Sequence, residues 1–374
     1  MTTSARLPAL MAASGAEEPA SAIPWAEVGP GWFVALWSTQ APSGGDGPAP
    51  PGAQLHSSTL LLVDPLGGRY RVAVLPAPPN YGLLDWAGDG RRVLISTPPT
   101  GPQQHSEIED VDLGTGQVLH RFAASGSESY QYTWPDGLAI LASAQSMSSS
   151  VPGRLQRLSL TGATELTYPT SFPGLGVFGS FLSSGVLPSL DGTELVVDAH
   201  RGMGLIANNG TFIRDIGPTG QSCDPDRWWS ATEFVASCLG ITGTAVPALW
   251  LVPTTGQPAS QLTFPKSPDL GDLNGWKVGS SVYTQAAGPC GTEFLAVRQP
   301  DGRTKPVSVP HAGLDAIVVG AHGAQLALQA KLDCGQATSL FWFNPQTSTE
   351  TPLLGPPIDH GTVLAVLPYP GLED

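Results

Sequence analysis

Seven stretches of this 374-residue chain repeat one pattern: an apolar run, a tight turn and a second short run. Examples are "LLLVDPLGGRYRVAV" (60–74) and "IEDVDLGTGQVLHRF" (108–122); the others occupy 155–168, 204–216, 249–264, 294–309 and 340–354. The residues just before the turns are Asp64, Asp112, Ser159, Ala207, Val252, Arg298 and Asn344, at intervals of 48, 47, 48, 45, 46 and 46. Periods of this size, kept over many copies, mean propellers or solenoids, in which each unit hides its apolar faces only against its neighbours.

The first half of each unit reads as another hairpin. "LLDWAGDGRRVLIST" (83–97) places Asp89-Gly90 between two apolar runs, and "WPDG" (134–137) and "LDG" (190–192) repeat the turn. Glycine accepts a positive φ without penalty, so Asp-Gly between apolar runs is a strong hairpin signal. Each unit is therefore four short antiparallel strands, a to d, which is a propeller blade. The expected fold is all-β: a seven-bladed β-propeller with four antiparallel strands per blade. Its first pattern starts at 23–37, and a lone terminal strand at 361–370 is expected to close the ring on blade one, because an open ring would expose strand edges. Residues 1–22 are expected to be a disordered N-terminal segment, 23–371 a single propeller domain, and 41–57 a loop between strands b and c of blade one. Trp25, Trp86, Trp134, Trp229 and Trp276 fall near the ends of the a strands and read as wedges between blades.

Four cysteines are present, none in a C-x-x-C pair, so zinc-ribbon and thioredoxin readings fail. The expected pairing is Cys223–Cys238, which stand symmetrically about an a–b turn, and Cys290–Cys334, in the b–c loops of adjacent blades. Spacing leaves other connectivities open. Two disulfides imply an oxidising compartment. The expected location is secreted or extracytoplasmic, with Met1 beginning a chain whose export signal has been removed.

The a–b turns at Asp89-Gly90, Asp136-Gly137 and Asp191-Gly192, with the Asp-bearing c–d turns, resemble those of TolB-type, WD40-like β-propellers. Blades five to seven depart from that turn with Thr232, Ser281 and Gly323. The composition is also similar to that of secreted actinobacterial proteins of this group. The resemblance implies an envelope or extracellular binding protein; it does not carry a partner over, since function sits in sites and not in folds.

A net charge of −14, with no Lys/Arg cluster, argues against nucleic acid and anionic membrane as partners. No run of 18 apolar residues suits a membrane span. No G-x-S-x-G elbow, P-loop or dinucleotide fingerprint occurs, so no catalytic residue is assigned. Candidate ligand-binding residues sit in the d–a and b–c loops around one channel mouth: Asp198, His200, Arg201, Asp224, Asp226, Asp269, Asp272, Asp333 and His360. In "DAHRG" (198–202) an Asp two residues from a His could orient an imidazole, but positions i and i+2 of any strand share a face. "PDLGDLNGW" (268–276) offers oxygen ligands of the type Ca²⁺ takes, yet lacks an EF-hand alternation. No cofactor is expected, with Ca²⁺ as the alternative. The preferred function is a non-enzymatic binding scaffold engaging a protein or cell-envelope component through its loop-rich face. The alternatives are a propeller hydrolase or lyase acting on a glycan or peptide, and a structural subunit of an extracellular assembly.

Overall fold

A computed structural model of the chain describes residues 11–39, 57–77, 80–99, 106–125, 128–146, 151–179, 185–240, 246–266, 269–310, 315–332 and 336–372. They form seven antiparallel sheets of the expected blade type, with helix limited to two 3₁₀ turns, Ala20–Ala22 and Pro289–Gly291. The a strands of blades two to seven are Gly82–Trp86, Ser129–Tyr132, Val186–Pro188, Gln221–Ser230, Asp272–Val278 and Asp315–His322. Each is followed outward by b, c and d in chain order.

The repeat anchors close the c strands because their side chains build the turn. Asp64 Oδ1 accepts from the amides of Leu66 at 2.8 Å and Gly68 at 2.9 Å. Asp112 Oδ1 accepts from the amide of Thr115 at 2.8 Å, and Asn344 Oδ1 from that of Gln346 at 2.9 Å. Such turns use a short polar side chain in place of a backbone acceptor. Gly68 is required here: a Cβ would stand 2.4 Å from Asp64 Oδ2. At the same end of the blades Gly90, Gly137 and Gly192, in the a–b turns, take φ of 70°, 64° and 71°, as their Asp-Gly turns demand.

The ring is closed by Thr362–Pro368, which pairs antiparallel with Phe33–Ser38, from Phe33↔Pro368 to Ser38↔Thr362. This terminal strand is the whole of strand a in blade one. Residues 23–32, expected to begin the blade pattern, form no strand. Pro24 and Pro30 cannot donate to a ladder, and the chain turns there, with the Glu27 amide bonded to Pro24 O at 2.7 Å. Trp25 is therefore not an a-strand wedge; its ring takes the Arg91 guanidinium at 3.9 Å. Residues 11–22, expected to be disordered along with the ten before them, lie against blade one. Glu17–Pro19 adds a parallel fifth strand outside Arg69–Leu75. The expected loop at 41–57 falls almost entirely outside the described residues.

Large side chains fill the seams. Trp86 meets Tyr369 edge to face at 5.3 Å, and Phe33 meets Trp342 at 5.2 Å. Trp342 Nε1 donates to Pro65 O at 3.1 Å, tying blade seven to blade one. In blade five the buried wedge is Trp228, not Trp229, and its Nε1 donates to Pro188 O at 2.7 Å. The reason is a pair of register shifts, between Pro225 and Arg227 and between Trp228 and Ser230, which break the simple alternation.

Cys223 and Cys238 are direct cross-strand partners with Cα atoms 4.0 Å apart, and they form the expected disulfide. Cys334, and with it the Cys290–Cys334 pairing, lies outside the described residues. A link closing a loop of 15 residues is worth about 3 kcal/mol through the unfolded chain. The double variant Cys223→Ala/Cys238→Ala should lose about 2–3 kcal/mol in urea unfolding. An unchanged midpoint would contradict the assignment.

Candidate functional site

The inner strands leave an axial channel. One cavity of ≈ 360 Å³ takes side chains from all seven blades, among them Asp85, Gln131, Pro188, Asp226, Asn274, Val318 and Leu367. A second, of ≈ 400 Å³, opens among the b–c and d–a connections of blades five to seven and is lined by Asp224, Asp226, Leu239, Pro247 and Glu293. The two share Asp226, Asn274, Trp276 and Val318, so they are consecutive parts of one passage.

The channel carboxyls are held in an unusual state. Asp85 stands on strand a of blade two and accepts the Tyr132 amide of blade three at 2.7 Å. Its side chain is half-buried, with part of its surface lining the channel. Burial pushes its carboxyl up to about 7, against the opposing pull of the Tyr132 and Trp86 amides. Asp226 is raised well above the usual carboxylate range, first by burial and then by the charge of Asp224; the Ser237 amide and Arg227 act the other way. Asp226 Oδ2 is enclosed and has no hydrogen-bond partner among the described residues.

Behind the wall of blade two a polar network fixes the channel-lining Tyr132. Its hydroxyl donates to Asp110 Oδ1 at 2.6 Å. Asp110 is 1% exposed and also meets His120 Nδ1 at 2.9 Å and Arg92 at 3.6 Å. Burial, followed by the Asp110 charge, drives the Tyr132 phenol far up, so it stays a donor.

Of the residues picked from sequence, Asp224 and Asp226 line the channel. Both lie within strand a of blade five, which begins at Gln221. Asp272 instead turns inward between strands; its Oδ1 accepts from the Thr284 hydroxyl at 3.0 Å, and burial raises its carboxyl. Asp269 lines a separate surface cavity with Pro265, Leu270 and Phe294. Asp198 is fully buried at the end of strand b in blade four. His200 and Arg201 form the short b–c turn after it. Their amides bond to Val177 O at 3.1 Å and Leu175 O at 3.0 Å, in the small hairpin of Ser171–Phe172 and Gly176–Val177. His360 is exposed beside the closing strand, and Asp333 lies outside the described residues. Asp85 and Gln131 were not selected from sequence, and Trp86, Trp134 and Trp276, read there as wedges between blades, also line the channel. Asp85 had one signal, a lone acid on an otherwise apolar a strand.

Among the described residues no group of three or more His, Cys, Asp or Glu is placed to hold a metal. No helix among them is long and apolar enough to cross a membrane.

No protein-family model matches the chain, and no curated protein matches its sequence. Solved structures do match. The β-propeller domain of the Trilobed protease from Pyrococcus furiosus, described as having an open velcro topology, aligns at 12% identity with a TM-score of 0.54, covering 87% of this chain and 98% of its own. The periplasmic gluconolactonase PpgL of Pseudomonas aeruginosa aligns at 13% identity and 0.51, over 90% and 100%. TolB from Acinetobacter baumannii aligns at 11% and 0.45, over 92% and 70%. Identities this low establish a shared fold and nothing finer: the chain is a seven-bladed β-propeller, here with its ring closed by Thr362–Pro368.

Proposed function

We propose that this chain is an extracytoplasmic binding propeller that takes part of a protein or cell-envelope ligand into its axial channel, entering from the loop-rich mouth at blades five to seven. The observation that carries the reading is the convergence of side chains from all seven blades on one continuous passage. Ligand sites are concave, mostly apolar and furnished with a few polar groups, which describes this channel. The Cys223–Cys238 disulfide supports an oxidising compartment.

A second reading draws on the Asp224–Asp226 pair. Burial first and the charge on Asp224 second raise Asp226, and two carboxyls whose titrations are pushed apart are what a hydrolase needs. Binding is preferred because both carboxyls come from one strand and so meet a ligand from one side. Hydrolysis of a glycosidic bond uses carboxyls that flank it.

The test is calorimetry and thermal melting against a library of peptides, amines and envelope glycans. A ligand should stabilise the protein by about 2.7 kcal/mol at a hundredfold excess over its Kd. Asn274→Phe, which puts bulk where the two cavities join, should abolish the effect. Recovery of the ligand as cleaved product would replace the binding reading with the hydrolase one.

A further inference from the structure

We infer that the aromatic end of the channel is a site for an organic cation, a substituted ammonium group carried by the ligand. This rests on the channel being the binding site and names the chemistry it selects. Trp86, Tyr132, Trp134, Trp228, Trp276 and Tyr369 contribute to the ≈ 360 Å³ cavity. Aromatic faces attract cations through the ring quadrupole, most strongly where water is excluded. Two of these rings already carry one: Arg227 stands 5.3 Å above the Trp276 ring and Arg92 5.4 Å from that of Tyr132.

The carboxyls complete the site. Asp85 and Asp226 face the same cavity, and neither forms an ion pair among the described residues. Asp226 keeps an enclosed oxygen without a hydrogen-bond partner. Burial shifts both toward the protonated form. An arriving ammonium group adds a counter-charge at both, and the proton leaves to solvent as the carboxylate forms. Among the described residues lining the cavity Arg227 is the one basic side chain, so once both carboxyls ionise the lining is net negative. A neutral sugar could stack on the same rings but would gain nothing from the two carboxyls.

The probe pair is choline and 3,3-dimethylbutan-1-ol, which have the same shape and differ in charge. Titrated into the full chain, choline should bind about tenfold or more tightly than the alcohol. Asp226→Asn and Asp85→Asn keep the shape and remove the charge. Each should weaken choline about tenfold and leave the alcohol unchanged. Melting curves of both variants establish that they are folded. Equal affinity for the two probes, no saturable choline binding, or choline binding untouched in both variants would overturn the inference. If the alcohol alone binds, and Asn274→Phe blocks it, the channel still stands as the binding site and only the cationic preference falls.

Discussion

A chain ending at Gly361 is expected to lose its cooperative unfolding transition. The strand removed, Thr362–Pro368, is the inner strand of blade one and pairs along the full length of Phe33–Ser38. Val363 is fully buried among Phe33, Leu61, Leu340 and Trp342, in the seam with blade seven. Leu364, Ala365, Leu367 and Tyr369 pack against the cluster of blades one and two that contains Trp32 and Trp86. Buried aliphatic side chains contribute about 1.5–3 kcal/mol each when fully covered. One full and several partial burials, plus the uncovering of their partners, sum to roughly 5–10 kcal/mol. A whole domain has about 5–15 kcal/mol in hand, so the loss is of the same size as the stability itself. The measurement is urea unfolding followed by circular dichroism and Trp fluorescence, with a peptide spanning 359–372 added in trans. The peptide should restore a sharp transition. A truncated chain that unfolds cooperatively within about 1 kcal/mol of the full one would refute this account of closure.

Stability should fall as pH rises from about 4 to about 7, and Asp85 should carry a large share of the fall. Its carboxyl titrates at about 7 in the folded chain against 3.8 for the ordinary group. Between those values the unfolded chain has given up a proton that the folded chain keeps. The stabilisation is complete below the lower value and is lost as pH climbs through the upper one. The difference is on the order of 4 kcal/mol. Asp226 is raised by the same cause and acts in the same direction. Asp85→Asn keeps an oxygen to accept the Tyr132 amide and has nothing to titrate. Its urea midpoint should therefore change much less than that of the parent between pH about 4.5 and about 7.5. Equal pH slopes for the two proteins would show that Asp85 is ionised throughout.

The architecture was open to reading because local chemistry repeats with the fold. Asp64, Asp112 and Asn344 recur at one spacing since each caps the same turn, and a repeat of turns is a repeat of blades. Cys223 and Cys238 stand opposite each other because two antiparallel strands share one turn. Legibility failed where the pattern is broken by backbone irregularity: register shifts in blade five hand the wedge from Trp229 to Trp228. It failed again at the chain start, where prolines keep 23–32 out of the sheet. The site was partly legible. Asp224 and Asp226, which the structure sets on strand a of blade five, drew attention as acids of the loops at a channel mouth. Asp85 did not, because its role arises from enclosure, which depends on six other strands drawn from the rest of the chain. Asp272 looked like its neighbour Asp269, yet the strand begins at Asp272 and buries it against Thr284.

Blade one is assembled from the two extremes of the described chain. Its axial strand is Thr362–Pro368, and its rim is Glu17–Pro19. The contact between Phe33–Ser38 and its inner partner therefore spans nearly the entire polypeptide, and such distant pairings form slowly. Blades two to seven can stack in order of synthesis while "FVALWS" waits with one flank bare. During that interval the molecule presents an apolar strand edge to any other chain nearby, so its passage to the native ring is the stage at which a holding chaperone has most to protect.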